Sequence, residues 1–276
     1  MKWKISHRTR YTYETPVRDS FNDVRLEPSS NAGQTVESFL LRVLPATRVN
    51  RYADFYSNWV HHFEVPEPHL YLFIESEVCV KTHPLPLLAE DAEPCLLEKL
   101  GSLQGVEYCH DFLQSSRYVE NEVETWRLAV DATAGQTDVW QSALALMRFV
   151  HGFLKYEPRS THVHTHVHDV ITQRRGVCQD YAHLMIGLCR GVKIPARYVS
   201  GYLATENASA SHAWVEVFIP KAGWQGLDPT HNHQIDVTYV KIGAGRDYAD
   251  VPPVTGNYRG TLNRKMDMEV EITPVT

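Results

Sequence analysis

Arg175-Gly176-Val177-Cys178-Gln179-Asp180-Tyr181-Ala182-His183 sets a cysteine directly after a glycine turn, where an apolar helix begins. From Val177 onward, Tyr181, Leu184, Met185, Leu188 and Cys189 recur at helical spacing, and Gly191 and Pro195 end the run. A cysteine at that end meets unpaired backbone N–H groups and the positive pole of the helix dipole. Both favour the thiolate, the form that attacks carbonyls. Downstream stand Ser211-His212-Ala213-Trp214-Val215-Glu216-Val217 and Gly226-Leu227-Asp228-Pro229-Thr230. Cys178, His212 and Asp228 are a nucleophile, a base and an orienting acid in chain order.

The strand carrying His212 adds a geometric condition. Ala213, Val215, Val217 and Ile219 alternate with His212, Trp214, Glu216 and Phe218, so the second set shares one face. A hairpin turning between Ile219 and Gly223 pairs Phe218 with Trp224 and Trp214 with Asp228. Asp228 then lies diagonal to His212 on the same face. Trp214 and Glu216 share that face and are the candidate substrate-binding residues, a structural salt bridge being the plainer role for Glu216. Asp180 is set aside as the third member, because a residue two positions from the nucleophile on a helix points elsewhere. His183, five positions on, is turned about 140° away from Cys178.

Composition bounds the rest. The 276 residues are 43% hydrophobic and 22% charged, with a formal net charge of −6. Neither a basic excess nor aromatic–basic interleaving points to nucleic acid. No apolar run approaches about 18 residues, so no membrane span is expected. Met1-Lys2-Trp3-Lys4-Ile5-Ser6-His7 lacks the apolar core of a signal peptide. Five cysteines (79, 95, 109, 178 and 189) form no framework. Their odd number and spacing fit a reducing compartment, so a cytoplasmic location is expected.

Residues 1–82 read as a β domain. Trp3, Ile5, Tyr11 and Tyr13 alternate with polar residues, and Ser38 to Leu44 and Leu70 to Val80 are further strands. His83-Pro84-Leu85-Pro86-Leu87 opens a linker over 83–93, since two prolines continue neither a ladder nor a helix. Residues 94–276 form the second unit. In it Val139, Ala143, Leu146, Met147, Val150 and Phe153 mark a helix capped by Thr137-Asp138. Strands return at Ala196 to Leu203, Ala213 to Ile219, Trp224 to Asp228 and Met268 to Ile272. The order predicts an α+β fold behind an antiparallel β domain.

The motifs around Cys178, His212 and Asp228, with Ile194-Pro195-Ala196-Arg197-Tyr198-Val199-Ser200-Gly201-Tyr202, resemble the bacterial transglutaminase-like family, whose members are often labelled cysteine proteases. Asn22-Asp23-Val24-Arg25-Leu26-Glu27-Pro28 and Asp247-Tyr248-Ala249-Asp250-Val251-Pro252-Pro253-Val254 extend the likeness across the chain, its N-terminal β domain included. The resemblance implies a papain-like core, with helices packed on an antiparallel sheet. It also implies a Cys178–His212–Asp228 triad that attacks an amide carbonyl of a peptide or protein through a thioester, without a cofactor. A tyrosine at the place of Tyr156 recurs in relatives, which makes Tyr156 a candidate oxyanion donor beside the Cys178 amide. The tract His162-Val163-His164-Thr165-His166-Val167-His168 departs from the family. As a strand it would present four imidazoles on one face, a possible metal ladder, although no metal is expected. A retired transglutaminase fold serving as a binding scaffold is the alternative to an enzyme.

Overall fold

The computed structural model describes residues 1–85, 95–102, 107–205 and 208–275. The strands of the N-terminal half are β1 (Lys2–Val24), β2 (Gln34–Leu44), β3 (Val49–Ala53), β4 (Trp59–Val65) and β5 (His69–Thr82). Four helices follow: α1 (Val123–Ala132), α2 (Val139–Phe153), α3 (Val167–Gln173) and α4 (Cys178–Gly191). Between them lie the two-residue strands β6 (Lys155–Tyr156) and β7 (Arg175–Gly176). The second half continues with β8 (Ala196–Thr205), β9 (Ala208–Ile219), β10 (Gly223–Asp228), β11 (His233–Gln234) and β12 (Tyr239–Gly245), followed by β13 (Val254–Arg259) and β14 (Arg264–Pro274). None of these helices is long and apolar enough to cross a membrane, among the described residues.

β1 organises the first sheet. Its first half pairs with β5 and β14, and its second half pairs with β4 and β13. The pairing with β14 runs from Trp3 opposite Pro274 to Tyr13 opposite Arg264. The C-terminal boundary of the sequence reading is therefore corrected: β13 and β14 belong to the sheet of the N-terminal domain, not to the catalytic unit. Alternation in Met268 to Ile272 revealed a strand, but it could not reveal a partner more than 250 residues away in the chain. β5 ends at Thr82. Most of the 83–93 linker lies outside the described residues.

The second sheet has the order β11-β10-β9-β8-β12. One face buries Ala213, Val215, Val217 and Leu227 against α4, α2 and α3, whose apolar stripes include Leu184, Leu188, Leu146, Val150 and Val170. α2 begins as the sequence implied, with the Asp138 carboxylate accepting from the Gln141 amide at 2.9 Å. Toward the other end of β8 and β9 the second sheet meets the first, Tyr202 and Ala204 pairing with Ser211 and Ser209. There Trp3, Ile5, Val78, Val80, Val270 and Ile272 pack on Tyr202, Ala204, Val240 and Ile242.

At the sheet margin β12 is finished by side chains of the other domain. Gln34 donates to the Lys241 carbonyl at 2.8 Å and accepts from the Lys241 amide at 2.9 Å. Asn58 does the same for Ala244, at 2.9 and 2.8 Å. Each carboxamide mimics one step of a ladder and closes an edge that would otherwise template pairing with another chain.

Candidate active site

Cys178 is the first residue of α4, so its amide has no intrahelical acceptor. The turn before it is built by Asp180. Its carboxylate accepts from the Val177 amide at 2.7 Å and from the Thr161 hydroxyl at 2.6 Å. Burial raises the Asp180 carboxyl, and these two donors pull against the rise. Gly176 is required by this arrangement, because a Cβ there would come within 2.5 Å of the Asp180 side chain. Asp180 therefore caps the helix and fixes the nucleophile's turn, apart from the catalytic pairing.

His212 and Asp228 meet as the hairpin register demands. Phe218 pairs with Trp224, and Leu227 with Val215. The Nε2 of His212 lies 2.7 Å from Oδ2 of Asp228. His212 is also hydrogen-bonded to Cys178, and Asp228 leaves Nδ1 as the ring nitrogen for that bond. Burial pulls the imidazolium pKa down. Hydrogen bonds to Asp228 and Cys178, with the charges of both, outweigh burial and carry it up to about 9. His212 therefore holds a proton at neutral pH.

Asp228 is completely buried. Oδ2 also accepts from the Tyr239 hydroxyl at 2.6 Å and from Nδ1 of His231 at 2.8 Å. Oδ1 accepts from the amides of Thr230 and His231 at 2.8 and 3.3 Å. Burial opposes ionisation, but the bond and charge of His212, then Tyr239 and His231, hold the carboxyl well below its usual range. Burial and the Asp228 charge push the Tyr239 phenol far up, so it keeps its proton and donates. Neither Tyr239 nor His231 was singled out from sequence. His231 follows Asp228 by three positions in a turn-forming Asp-Pro-Thr, a spacing that could have flagged it.

The other candidates divide. Tyr156 pairs in parallel with Gly176 and is half-exposed. Burial and the charge of Cys178 raise its phenol. Tyr198, buried on β8, feels the same charge, after burial. Trp214 and Glu216 are corrected, because neither is available to a substrate. Trp214 is completely buried, stacked on His212 and edge-on to Tyr239. Glu216 is taken up by Arg197 at 2.6 Å and Lys241 at 2.7 Å. Burial opposes its ionisation, but those two cations bring its carboxyl down to about 2.

The histidine tract is not a strand. Residues 162–166 form a loop and α3 begins at Val167. Its imidazoles pair at a constant offset of 46 with a second segment: His164 with Tyr118 at 2.8 Å, His166 with Glu120 at 2.6 Å and His168 with Glu122 at 3.4 Å. The imagined ladder of four imidazoles on one face is therefore absent. The alternation of the tract has the period of a strand, but its bonds to residues 118–122 hold it as a loop leading into α3.

Comparison with known proteins identifies the family. Residues 127–229 match the transglutaminase-like superfamily, and residues 3–81 match the bacterial transglutaminase-like N-terminal region. An uncharacterized protein of Mycobacterium leprae is 35% identical over 285 residues, covering 99% of this chain and 98% of the relative. The chain belongs to the transglutaminase-like superfamily. A crystal structure described as a "Putative Cysteine Protease" from Cytophaga hutchinsonii superposes with a TM-score of 0.79 at 25% identity, covering 99% of this chain and 90% of that one. A protein-glutamine gamma-glutamyltransferase of Pseudomonas aeruginosa is 36% identical over 102 residues, which are 32% of this chain and 15% of the relative. Membership supports a cysteine-dependent enzyme at the level of the family.

Proposed function

We propose that this protein is a cysteine-dependent amide hydrolase or acyltransferase working through a Cys178–His212–Asp228 triad. The observation that carries the reading is the hydrogen-bonded chain from Cys178 through His212 to the buried Asp228 carboxylate, with 2.7 Å between the last two. The thiolate of Cys178 adds to the amide carbonyl, forming a C–S bond and an oxyanion. The Cys178 amide and the Tyr156 hydroxyl are the donors proposed for that oxyanion. His212 passes its proton to the departing amine as the C–N bond breaks, leaving a thioester. Water or a second amine then gives its proton to His212 and attacks the thioester, and the Cys178 thiolate leaves, restoring the ion pair.

Asp228 fixes the His212 tautomer and balances its positive charge. The substrate is a peptide or protein amide. The name of the Pseudomonas relative makes a glutamine γ-amide the first to test, and that of the Cytophaga structure makes a peptide bond the second. The deciding experiment traps the acyl-enzyme from a cell extract and weighs the adduct by mass spectrometry. An adduct on Cys178 supports the reading. A folded protein whose Cys178 reacts with thiol reagents no faster than a free cysteine refutes it and favours a retired scaffold.

A further inference from the structure

We propose that His231 is a positioning residue for the Cys178–His212 pair, holding the Asp228 carboxylate and competing with His212 for its charge. This inference rests on the thiolate–imidazolium reading given above.

A carboxylate offers about four lone-pair sites. Five donors converge on Asp228, and three of them share Oδ2: His212 Nε2 at 2.7 Å, His231 Nδ1 at 2.8 Å and the Tyr239 hydroxyl at 2.6 Å. Three donors on two lone pairs weaken one another, so the pull of Asp228 on His212 depends on what the other two take. Tyr239 cannot readily let go, because its ring is buried against Trp214. His231 can. Its side chain is 46% exposed although it bonds a completely buried carboxylate.

The turn sets His231 in place by a second route. The Asp228 carboxylate accepts the His231 amide as well as its imidazole. From α2, His151 lies 3.1 Å from the Thr230 carbonyl and steadies the same turn. The ring of His231 lies 5.2 Å from that of His212 and 6.0 Å from that of His233. The titratable groups facing the pair are thus Cys178 from α4, Asp228 from β10, His233 from β11 and Tyr239 from β12, with His151 beneath the turn. With Nδ1 turned to Asp228, Nε2 is the outer nitrogen of His231. The competition is therefore open to solvent, and to whatever occupies the site.

The consequence is directional. Each donor removed from Oδ2 leaves more carboxylate charge for His212 and extends the range over which His212 stays protonated. His231 thus keeps the imidazolium from being held too firmly to give its proton to a leaving amine.

The test is alkylation of Cys178 by iodoacetate as a function of pH, followed by mass spectrometry of the labelled cysteine. The anionic reagent is drawn by the imidazolium, so its rate falls as His212 loses its proton. In His231→Ala and in His231→Phe, which keeps a ring in place, the falling limb should move up by about half a unit or more. His231→Asn, which retains a donor near the Nδ1 position, should return the limb to its original place. A limb that stays put in the folded Ala or Phe variant overturns the proposal, as does a limb displaced equally in the Asn variant. If the unmodified protein shows no fast alkylation of Cys178 at all, the thiolate–imidazolium reading itself has failed, a result visible before any variant is made.

Discussion

Replacing Asp228 with Asn removes one negative charge and leaves the shape nearly unchanged. Of the two orientations open to the new amide, the cheaper keeps its oxygen where Oδ2 receives His212, His231 and Tyr239. Its NH2 group then faces the amides of Thr230 and His231, which lose their acceptor. Two unsatisfied, partly buried donors cost at most about 1–3 kcal/mol each. Against a typical stability of about 5–15 kcal/mol, the variant should remain folded with a lower melting temperature. The chemical loss comes from the charge. A carboxylate and an imidazolium about 4 Å apart attract by about 4 kcal/mol at an effective dielectric constant of about 20. A thiolate–imidazolium pair is less dependent on proton removal during attack than a serine triad. Turnover should therefore fall by about 10²–10³, equivalent to about 3–4 kcal/mol in barrier. His212, whose pKa lies at about 9, should titrate lower. The falling limb of iodoacetate alkylation at Cys178 should then move to lower pH. A folded Asp228→Asn protein with normal turnover and an unmoved limb would refute this reasoning and leave Asp228 a turn residue.

Cys178→Ser should abolish turnover, while Cys189→Ser and Cys109→Ser should leave it largely intact. Burial raises those two thiols to about 12 and about 11, so peptide mapping after brief alkylation should find label on neither. Tyr156→Phe should lower turnover by about 10²–10³ if the hydroxyl holds the oxyanion, with little change in melting temperature. A loss confined to stability would make Tyr156 a packing residue. Two buried histidines set an acid limit. His183 accepts the Tyr248 amide at Nε2, 3.1 Å away, and so must be neutral when folded. Burial holds both His183 and His7 down at about 4. A depressed histidine stabilises the fold above its unfolded value near 6.5. That contribution is lost as pH falls from about 6.5 to 4, at about 1.4 kcal/mol per unit for each. His7→Asn keeps a donor for Tyr202 but cannot titrate. Its urea midpoint should fall less between pH 7 and 4.5 than that of the unmodified protein, and an equal fall would remove His7 from this account.

The parts of the fold legible in the sequence are those whose signal is local. Asp138 before α2, Gly176 before Cys178 and the alternation through β9 each announce a neighbour a few residues away. The hairpin parity that joins Asp228 to His212 is a local count too, and the observed register agrees with it. What stayed hidden depends on distant partners. β12 alternates poorly because it is buried on both faces and shifts register between Lys241 and Gly243. Tyr239 consequently gave no sign that it would reach Asp228. β4 was missed because Val60 and His61 are both buried, which breaks the period of two. Trp214 and Glu216 were placed on the correct face, but nothing in a strand pattern says whether that face meets substrate or another layer of protein.

The clasp between β1 and β14 has a consequence in time. Lys2 to Tyr13 are synthesised more than 250 residues ahead of their partners in β14. One edge of that half of β1 must wait, unpaired, while the whole catalytic unit is made. Until then the sheet that backs the catalytic domain lacks Val270 and Ile272 from its packing face. Assembly of the two halves is therefore coupled to synthesis of β14, and the nascent chain passes through a period with an open strand edge to be protected by a chaperone or by speed.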